Sequence, residues 1–274
     1  MGISRSMEVS SGFAEILLSV RKLQKAGREF FMNPNRKVLI HYLYHSGFTV
    51  EYGDYFLVFD YYRQFSAAPD IRHEIAVHKR PLVFVSHSHP DHYNPVIFEW
   101  EDENPDLRYV LSGEIRRQGG GDRKRCIFMN PRESTEVDGI TISAYGSTDL
   151  GVSFLVEVNG LRIFHAGDLN WWYWAEESTA EELREEEKAF KREVSRLEGE
   201  SMDILFFPVD PRLGEYYWLG GSYMMEKFHP GLFVPMHFAD HPEISRRFAE
   251  KMKGTGGRIA EISHPGQAFE YRIP

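Results

Sequence analysis

Residues 83–92 of this chain read VFVSHSHPDH, and they are the most informative stretch of its sequence. The apolar run at 82–86 is rich in β-branched and aromatic residues, which is typical of a strand buried on both faces. Four candidate metal ligands follow it within six residues: His87, His89, Asp91 and His92. Imidazole nitrogens and carboxylate oxygens bind transition-metal ions. The stretch therefore predicts a metal site at the end of a strand.

The spacing of these four residues suits one or two divalent ions. In a tight loop, residues two apart converge on one ion, while the third and fourth ligands reach a second ion beside it. Zn²⁺ is the expected ion, with Mn²⁺, Fe²⁺ and Ni²⁺ as alternatives. The competing interpretation is a surface loop that is rich in histidine by chance. Three of the 12 histidines fall within these six residues, together with an aspartate, which argues against chance.

The composition of the chain is that of a globular protein. Its 274 residues are 42% hydrophobic and 27% charged, which suits one large domain or two small ones with a substantial core. A formal charge of −9 disfavours a broad basic face for nucleic acid. Cys126 is the only cysteine, which excludes an intramolecular disulfide and a Cys-rich zinc module. We expect no nucleic-acid partner.

The sequence carries no pattern of membrane insertion or export. No segment approaches the roughly 18 consecutive apolar residues of a membrane span. Near the N-terminus, Glu15, Arg21 and Lys22 interrupt the apolar residues that a signal peptide would need. A single cysteine also fits a reducing compartment. We therefore expect a cytoplasmic protein.

Residues 1–36 are predicted to be a helical extension of the main domain, which comprises 37–274. Between Gly12 and Phe31 the apolar residues recur at helical spacing, and Asn33-Pro34-Asn35 ends the pattern. Such a helix packs either on its own domain or on a sister subunit, and the second arrangement would make a homo-oligomer. Alternatively, its basic face contacts a membrane or a partner. Met7 is an alternative start, with residues 1–6 then foreign to the native chain.

In residues 37–274 the spacing of the apolar residues alternates between that of strands and that of helices. Strands are predicted at 38–44, 48–51, 55–60, 82–86, 109–111, 126–129, 135–137, 140–144, 153–158, 161–165, 204–208 and 232–235. Helices are predicted at 69–78, 176–198 and 242–253. This order of elements indicates two sheets sandwiched between helices.

The His-Ser-His-Pro-Asp-His stretch resembles the HxHxDH signature of the metallo-β-lactamase superfamily. Three further family motifs have counterparts in the expected order. Asp60 resembles the carboxylate that orients the His loop, Asp168 the aspartate that bridges two ions, and His237 the ligand after a late strand. The resemblance covers about residues 37–270. It implies an α/β fold, a four-layer αββα sandwich with the site at one edge of both sheets.

The resemblance also implies two ligand sets and one departure from the family. His87 and His89 would serve a first ion, and Asp91, His92, Asp168 and His237 a second. The family has another histidine for the first ion, but no histidine lies between His92 and His165, and Ser147 falls in its place. Asp149 supplies an oxygen ligand instead, or the first site is weak or empty. His165 is expected in the core or behind the ligands.

The stretch YHSGF at residues 44–48 is similar to the ascorbate-6-phosphate-lactonase-like and phospholipase-D-like branch of this superfamily. His45 either lines the site or caps the first hairpin, and both interpretations stay open here.

The resemblance implies a metal-dependent hydrolase that uses a metal-bound hydroxide on an ester, lactone or phosphoester of a small molecule. Asp91 and Asp168 are the expected catalytic residues, with Asp91 also accepting a proton. The alternatives are a metal-binding or scaffold protein of the same fold without turnover and, less favoured, a nuclease.

Two aromatic stretches bear on the substrate. Residues 171–174 read WWYW, and these rings either wall a pocket or anchor the charged helix that follows. The second stretch is Tyr216, Tyr217 and Trp218, which come after the predicted strand at 204–208. Arg212 lies between that strand and these rings. It either binds a phosphate or carboxylate group of the substrate, or it pairs with Asp210.

Overall fold

A computed structural model describes residues 37–117 and 124–273 of the chain. The predicted helical extension at 1–36, and any self-association through it, therefore lie outside the described residues. Within the part that is described, no helix is long and apolar enough to cross a membrane.

The described residues form two seven-stranded sheets with helices on their outer faces. The strands are β1 Lys37–Tyr44, β2 Gly47–Tyr52, β3 Tyr55–Phe59, β4 Arg80–Val85, β5 Arg108–Ser112, β6 Cys126–Met129, β7 Ser134–Val137, β8 Ile140–Tyr145, β9 Ser153–Val158, β10 Leu161–His165, β11 Ile204–Pro208, β12 Leu232–Met236, β13 Arg258–Ile259 and β14 Ala268–Arg272. The helices are α1 Ile71–Val77, α2 Gly113–Arg117, α3 Ala180–Ser195, α4 Leu219–Phe228 and α5 Glu243–Lys251, with 3-10 helices at Pro95–Asp102 and Pro211–Tyr216.

The strand order explains where a site forms. The first sheet runs β14-β1-β2-β3-β4-β5-β6 and the second β13-β12-β11-β10-β9-β8-β7. In the first sheet β3 and β4 are parallel, and in the second β10, β11 and β12 are parallel. Parallel neighbours end at the same sheet edge, so the loops that follow them are brought together. Every sequence motif of the predicted site follows one of these strands.

The core lies between the two sheets, with smaller packed layers outside each. Phe48 of β2 meets Phe206 of β11 with ring centroids 4.6 Å apart, and Phe84 of β4 meets Phe154 of β9 at 5.6 Å. On the far side of the second sheet, Phe248 of α5 packs on Phe233 at 4.9 Å. On the far side of the first sheet, α1 joins a separate apolar cluster with β4. The four-layer αββα sandwich is therefore confirmed.

Strands β13 and β14, helices α2 and α4 and both 3-10 helices were not predicted from the sequence. Strand β14 pairs antiparallel with β1, although its alternating residues are mostly exposed. Helix α4 has no side-chain cap at its start and contains Gly220 and Gly221, which disfavour helix locally. A Cβ at Gly221 would lie 2.8 Å from the Phe248 ring, so the helix forms here because glycine allows close packing. Helix α3 is also shorter than predicted, since a capping box of Thr179 and Glu182 starts it.

A glycine holds the loop after β8 against the His loop. Gly151 has a φ of 74°, and a Cβ there would lie 2.1 Å from the backbone oxygen of Ser86. That oxygen accepts a hydrogen bond from the Val152 N–H at 2.9 Å. Gly151→Ala is expected to lower the free energy of unfolding by about 3 kcal/mol or more, from backbone strain and the collision together. Urea unfolding measures this.

Gly53→Ala is the matched control. Gly53 has a similar φ of 62°, but a Cβ there meets nothing within 4 Å. Only the backbone cost of about 1 kcal/mol should appear. Equal losses in the two variants would show that Gly151 matters only for its backbone conformation.

Candidate metal centre

The His loop is fixed from below by Asp60, directly after β3. The Asp60 carboxylate accepts hydrogen bonds from the Ser86 N–H at 2.8 Å and from the Ser86 hydroxyl at 2.6 Å. Its Oδ2 also lies 2.7 Å from His92 Nδ1. A carboxylate on one ring nitrogen places the proton there and leaves the other nitrogen free as a ligand. Asp60 therefore directs His92 Nε2 toward the centre of the site.

Three residues of the site have backbones in the left-handed region. Asp60, His45 and His237 have φ values of 42°, 56° and 67°. Residues other than glycine rarely adopt this conformation, and such strain concentrates at functional sites. The His237 N–H donates to the His45 carbonyl at 3.0 Å, and the Asp60 N–H to the Phe84 carbonyl at 2.9 Å. These bonds hold the strained loop ends in place.

The Asp168 carboxylate lies at the middle of the histidines. Its Oδ2 is 3.2 Å from His87 Nε2 and 3.9 Å from His89 Nδ1. Its Oδ1 is 3.2 Å from His92 Nε2 and 3.2 Å from His237 Nε2. One oxygen therefore faces each pair of histidines. This is the arrangement of a carboxylate that bridges two ions.

Three groups of residues have ligand atoms that lie within 4.8 Å of one another. One of them, Asp60 with His87 and His92, includes the carboxylate that already accepts hydrogen bonds from the Ser86 N–H and hydroxyl, and the other two are the candidate ligand groups. The first group consists of His87, His89 and Asp168, and the second of His45, Asp91, His92 and His237. These groups bring together six of the seven predicted ligands. Asp149 belongs to neither group; it lines the adjacent cavity instead. His165 is in the core, where its ring stacks on Phe59 with centroids 5.1 Å apart.

The atoms at the centre fit a cation. His92 Nε2 and Asp168 Oδ1 are both buried, and neither has a hydrogen-bond partner within the described residues. With its proton on the Asp60 side, His92 presents a lone pair to a carboxylate oxygen. Two buried acceptors that face each other cost about 1–3 kcal/mol apiece when unsatisfied. His92 and Asp168 would both be satisfied by a divalent ion, and this nitrogen and oxygen donor set suits transition metals.

The electrostatics of the site agree with that fit. Burial alone would raise the pKa of Asp168, but the His92 and His237 rings hold it well below its ordinary value. Burial lowers the pKa of His237, yet the Asp168 and Asp210 carboxylates overcome this and raise it to about 10. Both pKa shifts indicate that the carboxylates of this site strongly attract positive charge.

Asp210 is a further site residue, although its sequence context predicted only a pairing with Arg212. It is buried two residues after β11, and its Oδ2 lies 2.9 Å from His237 Nδ1. Arg212 donates to both Asp210 oxygens, with Nε at 3.0 Å from Oδ1 and at 2.9 Å from Oδ2. Asp210 thus orients His237 as Asp60 orients His92. Its position after a parallel strand was the signal that could have indicated this role.

His45 lines the site. The residue is 6% exposed, and its ring centroid lies 4.1 Å from that of His237. His45 Nε2 is 3.3 Å from Asp91 Oδ2. The turn between β1 and β2 therefore brings an additional imidazole to the second ligand group.

A cavity of about 350 Å³ opens beside the two ligand groups. Its lining residues are His89, Asp91, Thr148, Asp149, Asp168, Trp172, Trp174, Glu186, Arg212 and His237.

In the aromatic stretch at residues 171–174, some rings line the cavity and another anchors the following helix. Trp172 and Trp174 form a cavity wall, with parallel rings whose centroids are 5.8 Å apart. Trp171 packs on Phe190 of α3 and anchors that helix.

Solved structures of known proteins share this fold. Igni18, described as a novel metallo hydrolase of Ignicoccus hospitalis, is 16% identical with a TM-score of 0.60, over 87% of this chain and 100% of that one. CmlA, a diiron β-hydroxylase of Streptomyces venezuelae, is 14% identical with a TM-score of 0.55, over 88% of this chain and 55% of that one. At these identities the likeness concerns the fold alone.

Sequence comparison adds the family. A model described as the beta-lactamase superfamily domain matches residues 39–237, which span all the ligands discussed above. A UPF0173 metal-dependent hydrolase of Bacillus licheniformis is 24% identical over 250 residues, 83% of this chain and 97% of the relative. The chain therefore belongs to the metallo-β-lactamase superfamily of metal-dependent hydrolases.

Proposed function

We propose that this protein hydrolyses an ester, lactone or phosphoester of a small molecule, with two divalent ions, Zn²⁺ first among them. The observation that carries the proposal is the position of the Asp168 carboxylate. Each of its oxygens faces a pair of histidines, and the residue lines the cavity. A bound ion of this kind lowers the pKa of a coordinated water from about 15.7 toward 7.

Asp91 is the residue of the chain best placed to handle a proton. Its side chain is 48% exposed and lines the cavity, whereas Asp168 is almost fully buried. Contact with the His45 ring lowers the pKa of Asp91, so it is a carboxylate at neutral pH. A carboxylate at the cavity wall accepts the proton of an attacking water and returns it to the leaving group.

The cavity supports a small substrate. Its volume of about 350 Å³ is at the small end of ligand pockets. Trp172 and Trp174 offer ring surface to an apolar part of the substrate. Asp149 and Glu186 line the same cavity, and these carboxylates would repel a polynucleotide. A role for Asp149 as a ligand of the first ion, a cytoplasmic location and self-association through residues 1–36 stay predictions from the sequence.

Substrate screening tests the proposal. Protein loaded with Zn²⁺, Mn²⁺ or Fe²⁺ is offered carboxylic esters, lactones, phosphomonoesters, phosphodiesters and single-stranded DNA. We expect turnover of at least one small-molecule class and a loss of about 10²-fold or more in kcat/KM in Asp91→Asn. Asp138→Asn is the control, because Asp138 lies in the turn between β7 and β8, outside the cavity lining.

The other functions give different results in the same screen. A protein that retains two ions and turns over no class is a metal-binding or scaffold protein. Cleavage of DNA alone makes it a nuclease.

A further inference from the structure

His45 occupies a position in the site that neither the HxHxDH motif nor the later family motifs account for. It sits in the two-residue turn between β1 and β2, far in sequence from every other ligand. Its side chain is nevertheless buried among His92, His237 and Asp91, with ring centroids 5.2 Å from His92 and 4.1 Å from His237.

Hydrogen bonds among the described residues do not satisfy the polar atoms of this ring. His45 Nδ1 and Nε2 are both buried, and neither has a hydrogen-bond partner within the described residues. Burying an imidazole this way costs free energy unless something else binds it. The contact from Nε2 to Asp91 Oδ2, at 3.3 Å, lacks the direction of a hydrogen bond.

The distance between His45 Nε2 and Asp91 Oδ2 is typical of two ligand atoms on one ion. Ligands about 2.1 Å from an ion, at angles between octahedral and tetrahedral, lie about 3.0–3.4 Å apart. The distance from His45 Nε2 to Asp91 Oδ2 falls in this range, as do those from Asp168 Oδ1 to His92 Nε2 and His237 Nε2 at 3.2 Å. The ligand atoms of His45, His92 and His237 also lie within 4.8 Å of one another, so one ion can be within reach of all three rings.

The backbone of the turn supports a fixed role for the side chain. His45 has a φ of 56°, which Asn or Gly adopts more readily than His. The His45 N–H donates to the Tyr42 hydroxyl at 2.8 Å, and its carbonyl accepts from the His237 N–H at 3.0 Å. The strained turn is thus tied directly to a ligand of the second ion.

We propose that His45 is a ligand of the second ion, so that this site is built from the three imidazoles of His45, His92 and His237 with Asp91 and the shared Asp168. The first site then has only His87, His89 and the shared Asp168 within the described residues. The histidine missing near Ser147 and the additional one at position 45 make the two sites unequal. The second ion is bound tightly and the first weakly. This rests on the two-ion site of the proposed function.

Competitive titration tests the assignment without any substrate. Metal-free protein is titrated with Zn²⁺ against a chromophoric chelator, which resolves a tight and a weak binding event. His45→Asn keeps a residue that tolerates the left-handed turn and removes the ring. It should weaken the tight event by about tenfold to a hundredfold and leave the weak event unchanged. His89→Ala should affect only the weak event.

His229→Asn is the matched control. His229 also has a left-handed backbone, with a φ of 47°, but it is an exposed residue at the end of α4. The same substitution there should leave both binding events unchanged. A tight event of wild-type affinity in His45→Asn would overturn the assignment of His45, whereas wild-type protein that binds no Zn²⁺ would contradict the proposed function itself.

A second measurement needs no variant and decides the matter if His45→Asn fails to fold. Wild-type protein loaded with one equivalent of Co²⁺ is studied by X-ray absorption. Three imidazoles around the ion support His45 as a ligand, and two overturn the assignment. In a folded His45→Asn protein the visible Co²⁺ bands should also intensify, because lower coordination numbers absorb more strongly.

Discussion

Asp168→Asn is expected to abolish hydrolysis, with a loss of about 10³-fold or more in kcat/KM, and to release at least one ion. The reason lies in the position of the carboxylate, which lies 3.2 Å from ring nitrogens of His87, His92 and His237. The amide removes the charge that would attract both ions of the proposed site, and it replaces one acceptor oxygen by an NH₂ group that repels a cation. Loss of electrostatic stabilisation of this kind typically costs 10²–10³-fold, and loss of an ion costs more.

Metal content and turnover are measured on the same preparations of this variant. Asp138→Asn makes the same chemical change in the turn between β7 and β8 and should preserve both quantities. Asp168→Asn protein that keeps two ions and most of its activity would reject the bridging role of Asp168.

Removal of the ions is expected to lower the thermal unfolding temperature by about 8–16 °C. The ligand groups exist only in the folded chain, and an ion at 1,000 times its dissociation constant would stabilise it by about 4 kcal/mol. For a domain of this size each kcal/mol corresponds to about 2–4 °C. The structural cause is the pair of buried acceptors, His92 Nε2 and Asp168 Oδ1, which lie 3.2 Å apart. Without a cation or a proton they repel each other.

Calorimetry before and after chelation, with the ion content checked, measures this shift. Restoring Zn²⁺ should restore the unfolding temperature, and Asp168→Asn protein should respond much less to chelation. An unfolding temperature that does not change when both ions are removed would mean that the ions contribute nothing to the stability of the fold.

Much of the site could be predicted from the sequence because its parts are local. His87, His89, Asp91 and His92 lie in one loop after one buried strand, and such spacing has few structural explanations. Asp60, Asp168 and His237 each follow a strand, and parallel strands bring their ends to a common edge. The family match over residues 39–237 contains all of these residues.

The sequence was less informative where long-range packing opposes local preference. Helix α4 forms despite Gly220 and Gly221, because Phe248 packs closely against the glycine face. Strand β14 has an exposed pattern but is held by its pairing with β1. Neither feature has a local signal, since each depends on residues distant in the chain.

The sequence by itself determined the fold family, the His loop and the order of the motifs behind it, since strand periodicity and ligand spacing are properties of short segments. Only the tertiary structure decided which other side chains reach the centre. It turned His45 toward Asp91, set Asp210 behind His237, and left Asp149 in the cavity lining outside both ligand groups. The physical reason is that these three placements depend on the packing of two sheets and their strained loop ends, where distances between residues far apart in sequence are set.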